Sequence, residues 1–257
     1  MAGPIGEVAR VSREGTAPSS GPTTAARQAL VIEDLSRGNY TAAATGYLDL
    51  LRAAGEDPDD HLVTLGPVLD VPAWCAGHSA PHRAIRAARP LEIRPPRYAG
   101  EPRREHAVAA WQPPRYVAEI PDATVIGASS VVVTAEAEHL LDIACHPGAG
   151  RFELNKGAVG WLRDGIAMTD TTAADGGDLD AAIDLAGTYS HNYYHWMLEI
   201  LPRLATLEAA YAPAELAGVP LLVDQSPMLT PQMAETLAAA CPGRPVEILG
   251  RHRSPHV

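Results

Sequence analysis

This chain has very little phenylalanine, lysine or cysteine: one Phe and three Cys in 257 residues, with arginine outnumbering lysine 19 to 1. The cysteines, Cys75, Cys145 and Cys241, are far apart and odd in number, which excludes a disulfide framework and Cys-x-x-Cys metal chemistry. Each is expected to be a small buried apolar residue. The missing lysine reads as a coding bias toward G and C. No stretch approaches 18 consecutive apolar residues, so no membrane-spanning helix is expected. The start, Met1-Ala2-Gly3-Pro4-Ile5-Gly6-Glu7, lacks the charged opening and apolar core of a signal peptide. The expected location is therefore cytoplasmic.

What is present is enough for a real core. The hydrophobic content is 46%, which at this length supports one large domain or two modest ones. A net charge of −11 argues against nucleic acid as a general partner, because phosphate binding needs a basic surface. One segment runs the other way. Between Arg83 and Arg115 eight arginines face only Glu92, Glu101 and Glu105, a local charge of +5. Two readings stand: a solvated linker, or contact with an anionic lipid surface or a phosphorylated substrate.

Residues 1–24 are rich in Gly, Pro, Ser and Thr without an apolar period, and are expected to be a disordered lead-in. From 25 to 66 the spacing turns helical, with Leu30, Ile32, Leu35, Tyr40, Ala44, Tyr47, Leu50 and Leu51 interrupted at Gly38-Asn39. This predicts a helical hairpin, and the run from Leu35 through Gly38-Asn39-Tyr40, Ala43, Tyr47 and Leu50-Leu51 resembles a single tetratricopeptide repeat. A lone repeat must pack on a neighbour to bury its faces. Residues 67–115 hold nine prolines and no sustained period, and are expected to be an extended linker.

From Tyr116 the pattern becomes β-branched with period two, at Tyr116 to Ile120, Thr124 to Gly127 and Ser130 to Thr134, predicting a β-rich opening. Leu140 to Ala144 and Ile183 to Gly187 are further candidate strands. A long helix should follow Gly187, then a buried strand at Pro220 to Asp224, a helix from Thr230-Pro231 to Cys241, and a strand at Val246 to Leu249. That order predicts an α/β domain over 116–257 with a parallel sheet.

Most chemical motifs fail on inspection. Gly148-Ala149-Gly150 has Glu153 where a dinucleotide fingerprint needs its third glycine. Asp178-Leu179-Asp180, near Asp175 and Asp184, fits a solvated turn better than a divalent-metal site. His191 and His195 stand i,i+4 without a third ligand at zinc spacing, so no metal or cofactor is expected. No Gly-x-Ser-x-Gly nucleophile turn is present.

The stretch Asn192-Tyr193-Tyr194-His195-Trp196-Met197-Leu198-Glu199-Ile200-Leu201-Pro202-Arg203-Leu204 is different. At 100° per residue, Asn192, His195, Trp196, Glu199 and Arg203 fall within about 100° of one another on an otherwise apolar helix. An amide, an imidazole, an indole and a carboxylate on one face suit a cleft. The structural alternative makes Asn192 an N-cap, Trp196 a groove filler, and Glu199 with Arg203 an i,i+4 surface pair. Pro202 should kink or end the helix.

Taken with Gly187 upstream and Val223-Asp224 downstream, this stretch resembles glycosyltransferase family 61, which includes capsular polysaccharide enzymes and eukaryotic xylosyl- and N-acetylglucosaminyltransferases. Arg115-Tyr116, Glu119-Ile120, Ala123 and Val125-Ile126-Gly127 also look like the β-rich opening of that domain. The resemblance implies the Rossmann-like N-terminal, acceptor-side half of a GT-B enzyme, with a truncated chain lacking the donor-binding half. It implies inverting transfer of a sugar from a nucleotide sugar to a polysaccharide or glycan, in the cytoplasm or peripheral to the inner membrane. His195 and Glu199 would be catalytic, one the general base and the other its positioning group, in either assignment. Asn192, Tyr194, Trp196 and Arg203 would bind substrate. The competing reading is a helical-repeat adaptor on an inactive α/β platform.

Overall fold

The computed structural model describes residues 24–93, 108–127, 129–142, 159–163, 165–172, 178–187, 189–190, 192–224 and 230–249. The expected lead-in up to residue 23, the Gly148-Ala149-Gly150 run, Cys145, Asp175, His191 and the tail from Gly250 lie outside them. The protein is mixed α/β, with a six-stranded mixed sheet and a three-stranded parallel sheet as its two largest layers.

The helical hairpin is present as α1 (Thr24–Arg37) and α2 (Tyr40–Ala54). Val31 and Leu35, one turn apart on α1, meet Ala43 of α2 and then Leu65 and Met168 of the mixed sheet. The hairpin thus packs on a β-sheet of the same chain.

The central strand of that sheet, β1 (His61–Asp70), corrects both the hairpin boundary at 66 and the linker reading. It pairs antiparallel with β10 (Ile166–Thr172), His61 opposite Thr172 through Pro67 opposite Ile166. Its last residues pair in parallel with β8 (His139–Leu141). Pro67 sits where the ladder to β10 ends, so its missing N–H does not break the strand. Helix α3 (Val71–His78) follows, with a proline in its first turn. Four short strands continue the segment as two antiparallel ladders: β2 (His82–Arg86) pairs with β5 (Arg115–Ala118), and β3 (Arg89–Ile93) with β4 (Val108–Gln112).

The β-rich opening exists as β5, β6 (Thr124–Val125) and β7 (Val132–Val133), the last two joining β8, β1, β10 and β9 (Val159–Arg163) in the mixed sheet. At Gly66 a side chain is impossible. A Cβ there would lie inside the contact distance of the Ala137 carbonyl, so glycine is what lets β1 and the 134–139 turn approach.

The second sheet is parallel, in the sequential order β11 (Ile183–Asp184), β12 (Leu221–Asp224) and β13 (Val246–Leu249). All of β12 is buried. Leu221 and Val223 face Trp196, Ile200, Leu204, Met233 and Leu237, whereas Leu222 faces Val125, Ala186 and Leu249. Alternate residues of one strand therefore serve two cores. Because Val125 belongs to β6, the second core ties the two sheets together. Helix α6 (Pro231–Ala240) starts as expected, with the Thr230 hydroxyl accepting the Met233 N–H.

The helix after β11 is not uniform. It begins as α4 (Tyr193–His195), widens into a π-helical turn over Trp196–Ile200, and resumes as α5 (Arg203–Ala210). The Leu201 N–H reaches back to the Trp196 carbonyl at 2.8 Å. Pro202 has no N–H and would clash with the carbonyl four residues earlier in regular α-helix, and the wider turn absorbs it. The widened turn holds Glu199. Among the described residues, no helix is long and apolar enough to cross a membrane.

Candidate functional site

The 193–210 helix starts at the carboxyl end of the parallel strands, because the chain leaves β11 at Asp184, the loop at Gly187 and Ser190 is bonded to Asp224 at the end of β12, and the helix is entered at Asn192. In open α/β sheets this is where ligands bind. Asn192 caps the helix, its side-chain oxygen accepting the Tyr194 N–H at 2.9 Å. The cap fixes the turn that carries the imidazole.

His195 and Glu199 come together. Nδ1 of His195 lies 2.9 Å from Oε1 of Glu199, within ion-pair range but without hydrogen-bond alignment. The imidazole is 26% exposed and the carboxylate 54%. With Nδ1 shielded and turned to Glu199, Nε2 is the nitrogen left for a ligand. Two tyrosines frame the ring: Tyr189 stacks on it at 4.8 Å between centroids, and Tyr194 meets it edge-on at 5.4 Å. Tyr194 is 63% exposed, an open aromatic edge beside the imidazole.

The support beneath was not anticipated from sequence. Asp224, buried at the end of β12, accepts the Gly187 N–H at 2.9 Å and the Ser190 hydroxyl at 2.5 Å through Oδ2. It thereby holds the loop from which Tyr189 stacks on His195. Gly187 is closely packed: a Cβ there would stand 3.2 Å from Ile200 Cδ1, so a larger residue requires that side chain to shift. At the end of β11, Asp184 accepts the Ala186 N–H at 2.8 Å. Burial pushes the Asp184 carboxyl up to about 6, and the charge of Asp224 adds to this, while Arg203 and the Ala186 N–H pull it down. The signal for Asp224 was available: a carboxylate closing a wholly apolar strand at its carboxyl end.

Two of the expected site residues sit elsewhere. Trp196 is 1% exposed and packs in the core, its Nε1 donating to Thr236 Oγ1 at 3.0 Å. Its indole packs on Leu221 and Val223 of the sheet, which corrects the expectation that Trp196 binds substrate. Arg203 donates from Nη1 to the Ala186 carbonyl at 3.0 Å and offsets the charge of Asp184, so it ties the helix to the end of β11. Neither joins the exposed face. The π-turn is one cause, because the extra residue per turn displaces positions after 200 from the ideal 100° spacing. Asn192, Tyr194, His195 and Glu199 remain at the surface.

Among the described residues, no three His, Cys, Asp or Glu side chains are placed to hold a metal ion. The arrangement is that of an α/β unit with a histidine and a carboxylate in ion-pair range on the helix that follows β11. No protein-family model, curated protein or solved structure matches the chain.

Proposed function

We propose that this α/β unit is the acceptor-side, Rossmann-like domain of an inverting GT-B glycosyltransferase of the family 61 type, acting on a glycan acceptor with a nucleotide sugar as donor. The observation that carries this reading is the His195–Glu199 pair, held by a capped helix and a stacked tyrosine beside the exposed Tyr194. In an inverting transfer the acceptor oxygen bonds to the anomeric carbon as the bond to the nucleotide phosphate breaks. The acceptor proton must leave in the same passage. Nε2 of His195 takes that proton, and Glu199 stabilises the imidazolium formed and fixes the ring. Tyr194 offers its ring edge and hydroxyl to the sugar.

The adaptor reading draws less support. The hairpin buries Val31, Leu35 and Ala43 against its own sheet, which occupies the face that a repeat would present to a neighbouring repeat.

The test is sugar transfer together with acceptor binding. His195→Ala and Glu199→Ala are expected to fold normally and to abolish transfer by the complete enzyme. Glu199→Gln, which keeps size but loses charge, should lower turnover. If both alanine variants transfer sugar normally, the reading fails.

A further inference from the structure

The arginine-rich segment separates into paired and unpaired members. Arg83 is satisfied: its guanidinium donates to the Ala210 carbonyl at 2.8 Å, lies 4.0 Å from the Tyr211 ring centroid, and stands 3.9 Å from Glu119 and 3.7 Å from Glu215. Arg86 is the opposite case. Its Nε and Nη2 are shielded from solvent and have no hydrogen-bond partner. Its partner across the β2–β5 ladder is Arg115, a second cation on the same face of the pair. Arg89 adds a third charge and spends only its Nε, on Gln112 Oε1 at 2.8 Å. Among the described residues, none of the three stands in an ion pair with a carboxylate.

This placement works against folding. Like charges directly opposite on a ladder repel, and shielded donors without acceptors lose their hydration without compensation. Loss of hydration at the guanidinium, followed by the charges of Arg115 and Arg89, weakens the hold of Arg86 on its proton. In a chain of net charge −11, carboxylates are plentiful, yet among the described residues none is paired with Arg86, Arg89 or Arg115. An unsatisfied buried donor in a native fold points to a missing partner such as an ion. The partner must be anionic, must accept several hydrogen bonds, and must carry about two charges or more to balance three cations. A lone carboxylate has too few oxygens. A phosphate or diphosphate group matches the guanidinium forks and supplies an oxygen for each arginine.

We propose that Arg86, Arg115 and Arg89 form a binding site for a phosphate-bearing ligand. The three arginines lie on β2, β3 and β5, elements other than the helix that carries His195 and Glu199, and the proposal does not depend on the glycosyl-transfer reading. A soluble diphosphate and the headgroup of an anionic lipid share this chemistry, and the test distinguishes them.

Inorganic pyrophosphate is titrated calorimetrically into the full chain at low ionic strength, and the melting temperature is followed in parallel. Saturable one-site binding that weakens with added salt is expected, with a rise in melting temperature. Arg86→Gln and Arg115→Gln should each weaken binding about tenfold, and the double variant should abolish it. Arg37→Gln, at an exposed arginine paired with Glu33, should leave it unchanged. Ligand-free Arg115→Gln should melt no lower than the parent, because a repulsive pair is removed, and this separates lost binding from lost folding. Sedimentation with vesicles containing anionic lipid forms the second arm. Vesicle binding displaced by pyrophosphate assigns the site to a headgroup, and its absence beside pyrophosphate binding assigns it to a soluble ligand. No pyrophosphate binding, or equal binding by the parent and the double variant, overturns the proposal.

Discussion

The parallel sheet and the six-stranded sheet are assembled by opposite routes. In the first, β11, β12 and β13 follow one another along the chain and lie side by side in that order. In the second, His61 sits opposite Thr172, and the sheet order interleaves early and late segments. Parallel strands are joined through helices, so each strand and helix is a local sequence signal. A strand completed by a distant partner leaves a weaker local trace. The two regions also bury different polar groups. The mixed sheet encloses His139, fully buried with Nε2 3.3 Å from the Thr169 hydroxyl, whereas the parallel unit encloses Asp224 and surrounds Asp184.

Replacing Trp196 by alanine is the largest expected disturbance of the parallel unit. It empties the centre of that core and should cost about 4 kcal/mol, read by denaturant unfolding. A Trp196→Ala variant of unchanged stability would place the indole outside the core. On the other side, Gly66→Ala should cost about 3 kcal/mol or more, because the new methyl group meets the Ala137 backbone rather than a movable side chain. Normal stability of that variant would mean that β1 does not approach the 134–139 turn so closely.

Acid should act on the two regions with opposite sign. Burial lowers His139 to about 4, so the unfolded chain binds more protons below its ordinary value of 6.5. Its contribution, on the order of 3 kcal/mol, is present above 6.5 and is lost as pH falls through about 4. Asp184 is raised to about 6 from 3.8, so its contribution is present below 3.8 and is lost as pH rises through about 6. Unfolding measured between pH 4 and 7 should therefore change differently in His139→Gln and Asp184→Asn: the first removes the loss of stability on acidification, and the second removes the opposing gain. Identical pH profiles for the two variants would contradict the contrast.

The smallest effect lies where the hairpin meets the mixed sheet. His61 bridges Asp170 at 2.8 Å and Glu56 at 3.0 Å, and Tyr47 also bonds to Asp170 at 2.6 Å. Burial lowers its proton affinity, but the hydrogen bond and charge of Asp170, with help from Glu56, outweigh this and raise it. Its contribution is complete below pH 6.5 and fades as pH rises through the raised value. His61→Gln should cost less than about 1 kcal/mol, with more of the loss at pH 6 than at pH 9. A larger loss at pH 9 would reverse the assignment.

This contrast also explains what was legible in the sequence. Thr230-Pro231 announced a capped helix, the apolar run at 221–224 a buried strand and the run at 246–249 a further strand, of which Leu249 alone is buried, because these signals are local. The strands β1 to β4 were hidden under prolines and arginines, since their pairing is decided by β10, β8, β5 and one another rather than by their own period. At the site, the i,i+4 spacing of His195 and Glu199 was enough to bring them together. Helical spacing alone did not sort Trp196 from its polar neighbours, because the indole carries a polar tip that Thr236 satisfies inside the core. Asp224 and Tyr189 act on His195 through a loop, where no periodicity connects them.

The central claim is that the exposed face of His195 and Glu199 receives a sugar hydroxyl. Its most direct measurement is acceptor capture on an oligosaccharide array, made side by side with the parent chain, His195→Ala and Glu199→Ala, each checked for a native melting profile. The account predicts that the parent retains a restricted set of glycans and that both variants lose them while remaining folded. Retention of the same glycans with equal strength by both folded variants would contradict it.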